Sequence, residues 1–143
     1  MERFRNPSVD GIRALLARVR TIAVVGLSPN PRRPSHAVAR SLQGFGYRII
    51  PVRPAVDAVL GERAYASLRD LHADRPEGVD LVDVFRAPEH VPALVDECIE
   101  LAVPALWLQD GVIDEAAALR ARRAGIMVVM DRCVYRDYTA LVA

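Results

Sequence analysis

The sequence predicts an α/β fold, a doubly wound open parallel sheet with helices on both faces. Two observations carry this. Short runs rich in β-branched residues alternate with stretches whose apolar residues recur at helical spacing, the signature of parallel strands joined by crossover helices. The strand-like runs are also almost continuously apolar, as in TIAVVG and VDLVDVF, which is how strands covered on both faces read. The 143 residues, without repeat or linker, fit a single domain over 1–143. A chain of that size buries roughly 70% of its unfolded surface and needs no disulfide or metal to hold it.

Residues 1–20 are expected to form an N-terminal helix packed on the domain. Ser8 is its N-cap, and Ile12, Leu15, Leu16 and Val19 share one face. Thr21 to Gly26 is a buried central strand ended by glycine. The following LSPNPRRPS holds three prolines and is irregular. Ser35 is expected to cap the next helix, with Val38, Leu42 and Phe45 inward and Gly44 and Gly46 at its end. Tyr47 to Val52 is a second strand, stopped by Pro54. A short edge strand near Arg63 to Tyr65 and a helical turn over Leu68 to His72 are expected next. Val79 to Phe85 is the third strong strand. Beyond Pro88, Val91, Leu94, Val95, Cys98, Leu101 and Ala102 form a helical stripe. Ala105 to Leu108 is a strand. Asp114 opens a helix with Asp114 and Glu115 in its first turn and Arg120, Arg122 and Arg123 in its last, complementing the dipole; Gly125 is its C′ residue. Ile126 to Met130 is the last strand, and the tail from Asp131 reads as irregular. Right-handed crossovers make this order a Rossmann-like sheet, whose ligands bind outside the carboxyl ends of the strands, where strand order reverses. The candidate surface is the loops after Gly26, Val52, Phe85 and Leu108.

Composition removes several functions. Net charge is +1, without the basic excess that nucleic acid binding requires. All 19 basic residues are Arg, so a lysine Schiff base, a lysine general base and a Walker A lysine are excluded. Fixed positive charge is guanidinium, suited to bidentate phosphate contacts. Two distant cysteines make neither a disulfide framework nor a zinc site. No apolar run approaches the ~20 residues of a membrane span, and the start lacks the apolar core of a secretion signal. A reducing cytoplasm is the expected compartment.

The first loop runs Gly26, Leu27, Ser28, Pro29, Asn30, Pro31, Arg32, Arg33, Pro34, Ser35. Gly26 permits a sharp turn, Ser28 and Ser35 offer hydroxyls, and Arg32 and Arg33 stand beside the free amides of a helix start. Those features suit a pyrophosphate. Only one glycine of the G-x-G-x-x-G pattern is present. The second strand ends at Arg53 and Pro54 where a typical NAD site has an acid, so a ribose phosphate, as in NADP or coenzyme A, is the better match. Phe85 and Arg86 add a ring and a cation. Gln109, Gly111 and Val112 close the set.

Five segments in register resemble the stand-alone CoA-binding domain proteins, which are similar to the N-terminal domain of the succinyl-CoA ligase alpha subunit. They are IAVVGLSPNPRRPS (22–35), GYRIIPVRP (46–54), VDLVDVFR (79–86), WLQDGVIDEAA (107–117) and VVMDRC (128–133). The resemblance implies coenzyme A as the ligand, with its pyrophosphate at Ser28, Arg32, Arg33 and Ser35. It implies the adenosine end near Arg53 and Pro54, and the rest bordered by Arg86 and the Gln109 to Val112 loop. Arg53 departs from the family's usual Asn or Ser. The ligases carry further domains with a phosphorylated His and a nucleotide site, absent here, so binding without catalysis is expected.

No Ser-His-Asp or Cys-His order suggests a nucleophile, and no spacing suggests a metal. His36 sits at the helix start, within reach of a phosphate. Asp83 interrupts a buried strand and needs hydrogen-bond partners if it faces inward. Cys98 lies on the apolar stripe. Cys133 follows the last strand beside Arg132, a setting that favours exchange with a ligand thiol. The alternatives are an NADP-dependent oxidoreductase, a subunit of an acyl-CoA enzyme, and a regulatory module sensed by a protein partner. A homodimer through an edge strand or the N-terminal helix is compatible with the pattern.

Overall fold

The computed structural model describes residues 2–143. Helix α1 (Val9–Arg18) begins at Ser8, whose hydroxyl accepts from the Gly11 N–H, and its buried Ile12, Leu15 and Leu16 lie on the predicted face. Then follow β1 (Thr21–Val25), α2 (Pro34–Gly44), β2 (Arg48–Val52), the short β3 (Ala58–Val59) and β4 (Glu62–Arg63), and α3 (Leu68–Asp74). The chain continues with β5 (Leu81–Val84), a 3-10 turn (Pro88–His90), α4 (Val91–Glu100), β6 (Ala105–Leu108), α5 (Glu115–Arg123), β7 (Met127–Met130) and α6 (Val134–Leu141).

Five strands form one parallel sheet in the order β2-β1-β5-β6-β7. The chain leaves β1 towards β2 on one side and resumes at β5 on the other, so strand order reverses between β1 and β5. One face buries Ala23, Val82 and Leu106 against Leu68, Leu71, Val95, Cys98 and Ala118 of α3, α4 and α5. The other buries Ile22, Val24 and Trp107 against Leu15, Leu16, Ala39, Leu42 and Val134 of α1, α2 and α6.

Several local expectations change. Ser35 does not cap α2. Arg33 holds the N-cap position without a side-chain bond, because Pro34 takes the first helical place, where its missing N–H costs nothing. Ala39 and Leu42 are the helix's buried apolar residues, while Val38 and Phe45 are half-buried. The expected edge strand is instead a hairpin of β3 and β4, with Tyr65 bridged to Val52 beyond it. The α4 stripe ends before Leu101: Leu101 is the C-cap, and Ala102 is exposed with φ 54°. Asp114 is the N-cap of α5, accepting from the Ala117 N–H.

The largest correction is the tail. Residues after Asp131 form α6, which buries Val134 and stacks Tyr138 on Phe45 with ring centroids 4.0 Å apart. Its sequence, VYRDYTAL, has few strong helix formers, and packing against α1 and α2 overrides that weak propensity.

Candidate functional site

Gly26 and Phe85 follow the two strands that flank the reversal, and their backbones press together. A Cβ on Gly26 would lie 2.3 Å from the Phe85 carbonyl oxygen, and Gly26 adopts φ 85°, so only glycine fits without distortion. The chain therefore opens a crevice above the sheet at this point. It is a cavity of about 660 Å³, within the range of small-molecule and cofactor sites.

Every predicted carboxyl-end loop reaches it. Gly26, Ser28, Arg33, Pro34 and Ser35 come from the first, Arg53 from the second, Phe85 and Arg86 from the third, and Gln109 and Val112 from the fourth. Five other predicted residues lie off the wall. Leu27 is fully buried in the α1–α2–α6 core. Asn30 shapes the loop, its Oδ1 accepting from the Arg32 N–H at 3.0 Å, and Arg32 is exposed beside Arg33. Pro54 lines a smaller neighbouring cavity that shares Arg86. The Gly111 N–H donates to Asp131 Oδ1. The wall also includes Val38, Asp110, Cys133 and Arg136. Arg136 was missed because its segment read as irregular; the alternating charges of DRCVYRD were the available signal.

The polar groups on the wall fall into two kinds. Asp110 and Arg136 neutralise each other through a two-pronged pair at 2.6 and 2.8 Å, and that guanidinium holds the Asp110 carboxyl below its usual range. By contrast Arg33, Arg53 and Arg86 form no ion pair with any described carboxylate. Ser28 and Ser35 are buried, and each hydroxyl accepts one bond. The Ser28 N–H donates to Ser35 Oγ at 3.0 Å, and the Asn30 N–H donates to Ser28 Oγ at 3.1 Å. Neither hydroxyl donates to a described protein group. His36 Nδ1 donates to the Ser28 carbonyl at 2.9 Å, and the side chain is not on this wall.

Two acids of the third strong strand run lie away from the cavity. Asp80 Oδ2 accepts from the Arg20 and Thr21 N–H groups at 2.9 and 3.0 Å, closing the start of β1. Asp83 pairs in register with Val24 and Trp107, is completely buried, and has neither oxygen hydrogen-bonded. Burial pushes its carboxyl well above the ordinary range. The Trp107 indole cannot serve it, since it donates to the Arg132 carbonyl at 2.8 Å. Among the described residues no group of His, Cys, Asp and Glu is placed to hold a metal ion, and no helix is long and apolar enough to cross a membrane.

Known proteins share both the sequence and the fold. An uncharacterized protein of Bacillus subtilis, YneT, is 42% identical over 131 residues, 92% of this chain and 94% of its own. A hypothetical protein from Pyrococcus horikoshii superimposes with a TM-score of 0.88 at 32% identity, covering 100% of both chains. The ADP-forming acetate–CoA ligase of Methanocaldococcus jannaschii is 27% identical over 79 residues, 55% of this chain but 11% of the ligase. The family model described as a CoA binding domain matches residues 20–139, nearly the whole chain from β1 into α6, and the protein is a member of that family.

Proposed function

We propose that the cavity at the carboxyl end of the sheet binds coenzyme A or an acyl-CoA, and that the protein does so in the cytoplasm without catalysing a reaction. The observation that carries this reading is the unspent charge and hydrogen-bonding capacity of one wall. Arg33, Arg53 and Arg86 have no carboxylate partner there, and two buried hydroxyls keep their hydrogens free. Three unpaired guanidiniums and two hydroxyl donors gathered on one wall suit an anion.

The residues fit coenzyme A part by part. Ser28, Ser35, Arg33 and the first-turn amides of α2 take the pyrophosphate. Arg53 takes the ribose 3′-phosphate; as the only guanidinium after β2 on the wall, it explains why an Arg stands where an NAD site carries an acid. Phe85, Val112 and Gln109 border the pantetheine arm, whose amides need both apolar contact and a donor. Leu27, Asn30 and Gly111 shape the loops, with Arg32 and Pro54 at the margin.

The test is a thermal-shift panel with CoA, acetyl-CoA, dephospho-CoA, NADP and NAD. A ligand at 100 times its dissociation constant adds about 2.7 kcal/mol of stability, a midpoint rise of several degrees. CoA and acetyl-CoA are expected to raise the midpoint and NAD to leave it unchanged. A rise with NADP and none with CoA would replace this reading with an oxidoreductase.

A further inference from the structure

We infer that Cys133 forms a mixed disulfide with the thiol end of a CoA-class ligand seated in the cavity; this rests on the reading of the cavity as a coenzyme A site. The two cysteines of the chain differ in placement. Cys98 is fully buried among the α3–α5 core residues, where burial pushes its thiol up to about 12, and it is inert there. Cys133 lines the cavity and is 8% exposed. It occupies the N-cap position of α6 without spending its side chain on a capping bond.

A second group beside it independently calls for a ligand. Gln109 is 5% exposed and lines the same cavity. Its Oε1 accepts from the N–H of Val134, the residue after Cys133, at 3.2 Å, which fixes the amide's orientation. Its Nε2 donates to no described protein group, yet it is not among the fully enclosed orphan atoms, so it opens on the cavity. An amide fixed at its Oε1, with its Nε2 open on the cavity, presents a donor to a ligand carbonyl. The wall around it carries no net charge, since Arg136 is consumed by Asp110, and Val112 and Phe85 are apolar. The unpaired guanidiniums belong to Arg33, Arg53 and Arg86. Coenzyme A divides in the same way, with phosphates at one end and two amides followed by a thiol at the other. An arm whose carbonyl meets Gln109 brings its sulfur to the neighbourhood of Cys133.

The chemistry is thiol–disulfide exchange with the disulfide of coenzyme A as oxidant. The Cys133 sulfur, its proton released to solvent, attacks one sulfur of the ligand disulfide. The new S–S bond forms as the old one breaks, and the departing thiolate leaves with the electron pair and takes up a proton as one CoA thiol. One bond is exchanged for another and no further reductant is needed.

The experiment treats the reduced full-length chain with CoA disulfide and follows intact mass, with CoA binding to the same preparation measured by calorimetry. One CoA per chain is expected, released by dithiothreitol, retained in Cys98→Ser and absent from Cys133→Ser. Glutathione disulfide at equal concentration is expected to react several-fold more slowly, because it lacks the groups that the cavity recognises. An adduct that survives Cys133→Ser, or equal rates with both disulfides, overturns the inference. Tight CoA binding without any adduct overturns it while leaving the binding reading intact, whereas neither adduct nor binding removes both.

Discussion

The two ends of the parallel sheet are made by the same strands and treat their polar groups in opposite ways. At the amino end, where β1 begins, Asp80 takes two backbone N–H groups at once, so that carboxylate is spent on the fold. At the carboxyl end, three guanidiniums have no carboxylate partner and buried hydroxyl and amide donors go unused. The flanks resemble the amino end: Arg69 pairs with Glu100, Arg120 with Asp96, and Arg122 and Arg123 with Glu2. Arginine is spread over the whole chain, and several outside the crevice, Arg20 and Arg48 among them, also lack a carboxylate partner; what marks the crevice is that three such guanidiniums share one wall with two buried hydroxyls. Stability is built where polar groups are satisfied, and ligand affinity is held in reserve where they are not.

The comparison breaks most severely at Gly26, at the carboxyl end of β1. Gly26→Ala places a methyl 2.3 Å from a backbone oxygen at φ 85°, and is expected to cost roughly 3 kcal/mol of stability, read as a lower denaturation midpoint, and to abolish CoA-dependent stabilisation. The carboxyl end alone is addressed by Arg33→Ala and Arg53→Ala. Each is expected to weaken CoA binding by roughly 1.5–3 kcal/mol by calorimetry, with the unfolding midpoint unchanged. Arg53→Ala should matter far less for dephospho-CoA, and equal losses for both ligands would refute the 3′-phosphate assignment. The amino end gives the mirror result. Asp80→Ala leaves two N–H groups without their acceptor and is expected to cost about 2 kcal/mol of stability while CoA affinity holds. Loss of affinity without loss of stability would reverse the roles of the two ends.

A pH-dependent effect concerns Asp83, which sits between the ends. Its folded carboxyl titrates well above the unfolded one because of burial. The folded state therefore keeps a proton that the unfolded chain gives up above about pH 4. Its neutral form is fully compatible with folding below that pH, and stability falls as pH rises towards the folded pKa, by at most about 1.4 kcal/mol per unit. Asp83→Asn removes that slope, so the difference in stability between the variant and the parent should grow from pH 4 to 8 in urea titrations. A difference that does not change with pH would mean that Asp83 is ionised and partnered in solution.

Much of this was legible in the chain. The strands read directly because a strand covered on both faces is apolar throughout, and Thr21 to Val25, Arg48 to Val52 and Ala105 to Leu108 lie where the runs are. The loops of the site were legible because the carboxyl-end rule needs only strand direction. What escaped was non-local. Ser35 looks like a cap in isolation, but Pro34 shifts the helix start and turns the hydroxyl towards Ser28. The segment after Asp131 carries a short apolar stripe, Val134, Tyr138 and Leu141 at i, i+4 and i+7, on residues of weak helix propensity, and α6 packs that stripe against Phe45 and the rest of the core.

By itself the sequence determined the layered parallel sheet, the glycine turn after the first strand, the guanidinium character of any anion site, and the family. These follow from periodicity, residue type and the order of motifs, which are local properties. The tertiary structure alone decided which arginines are consumed and which are free. It placed Gln109 and Cys133 on the wall that Arg53 and Ser28 also line, and it left Asp83 buried without a partner. Those outcomes depend on distances between residues far apart in the chain, where pairing is settled by which side chains the fold brings within a few ångströms.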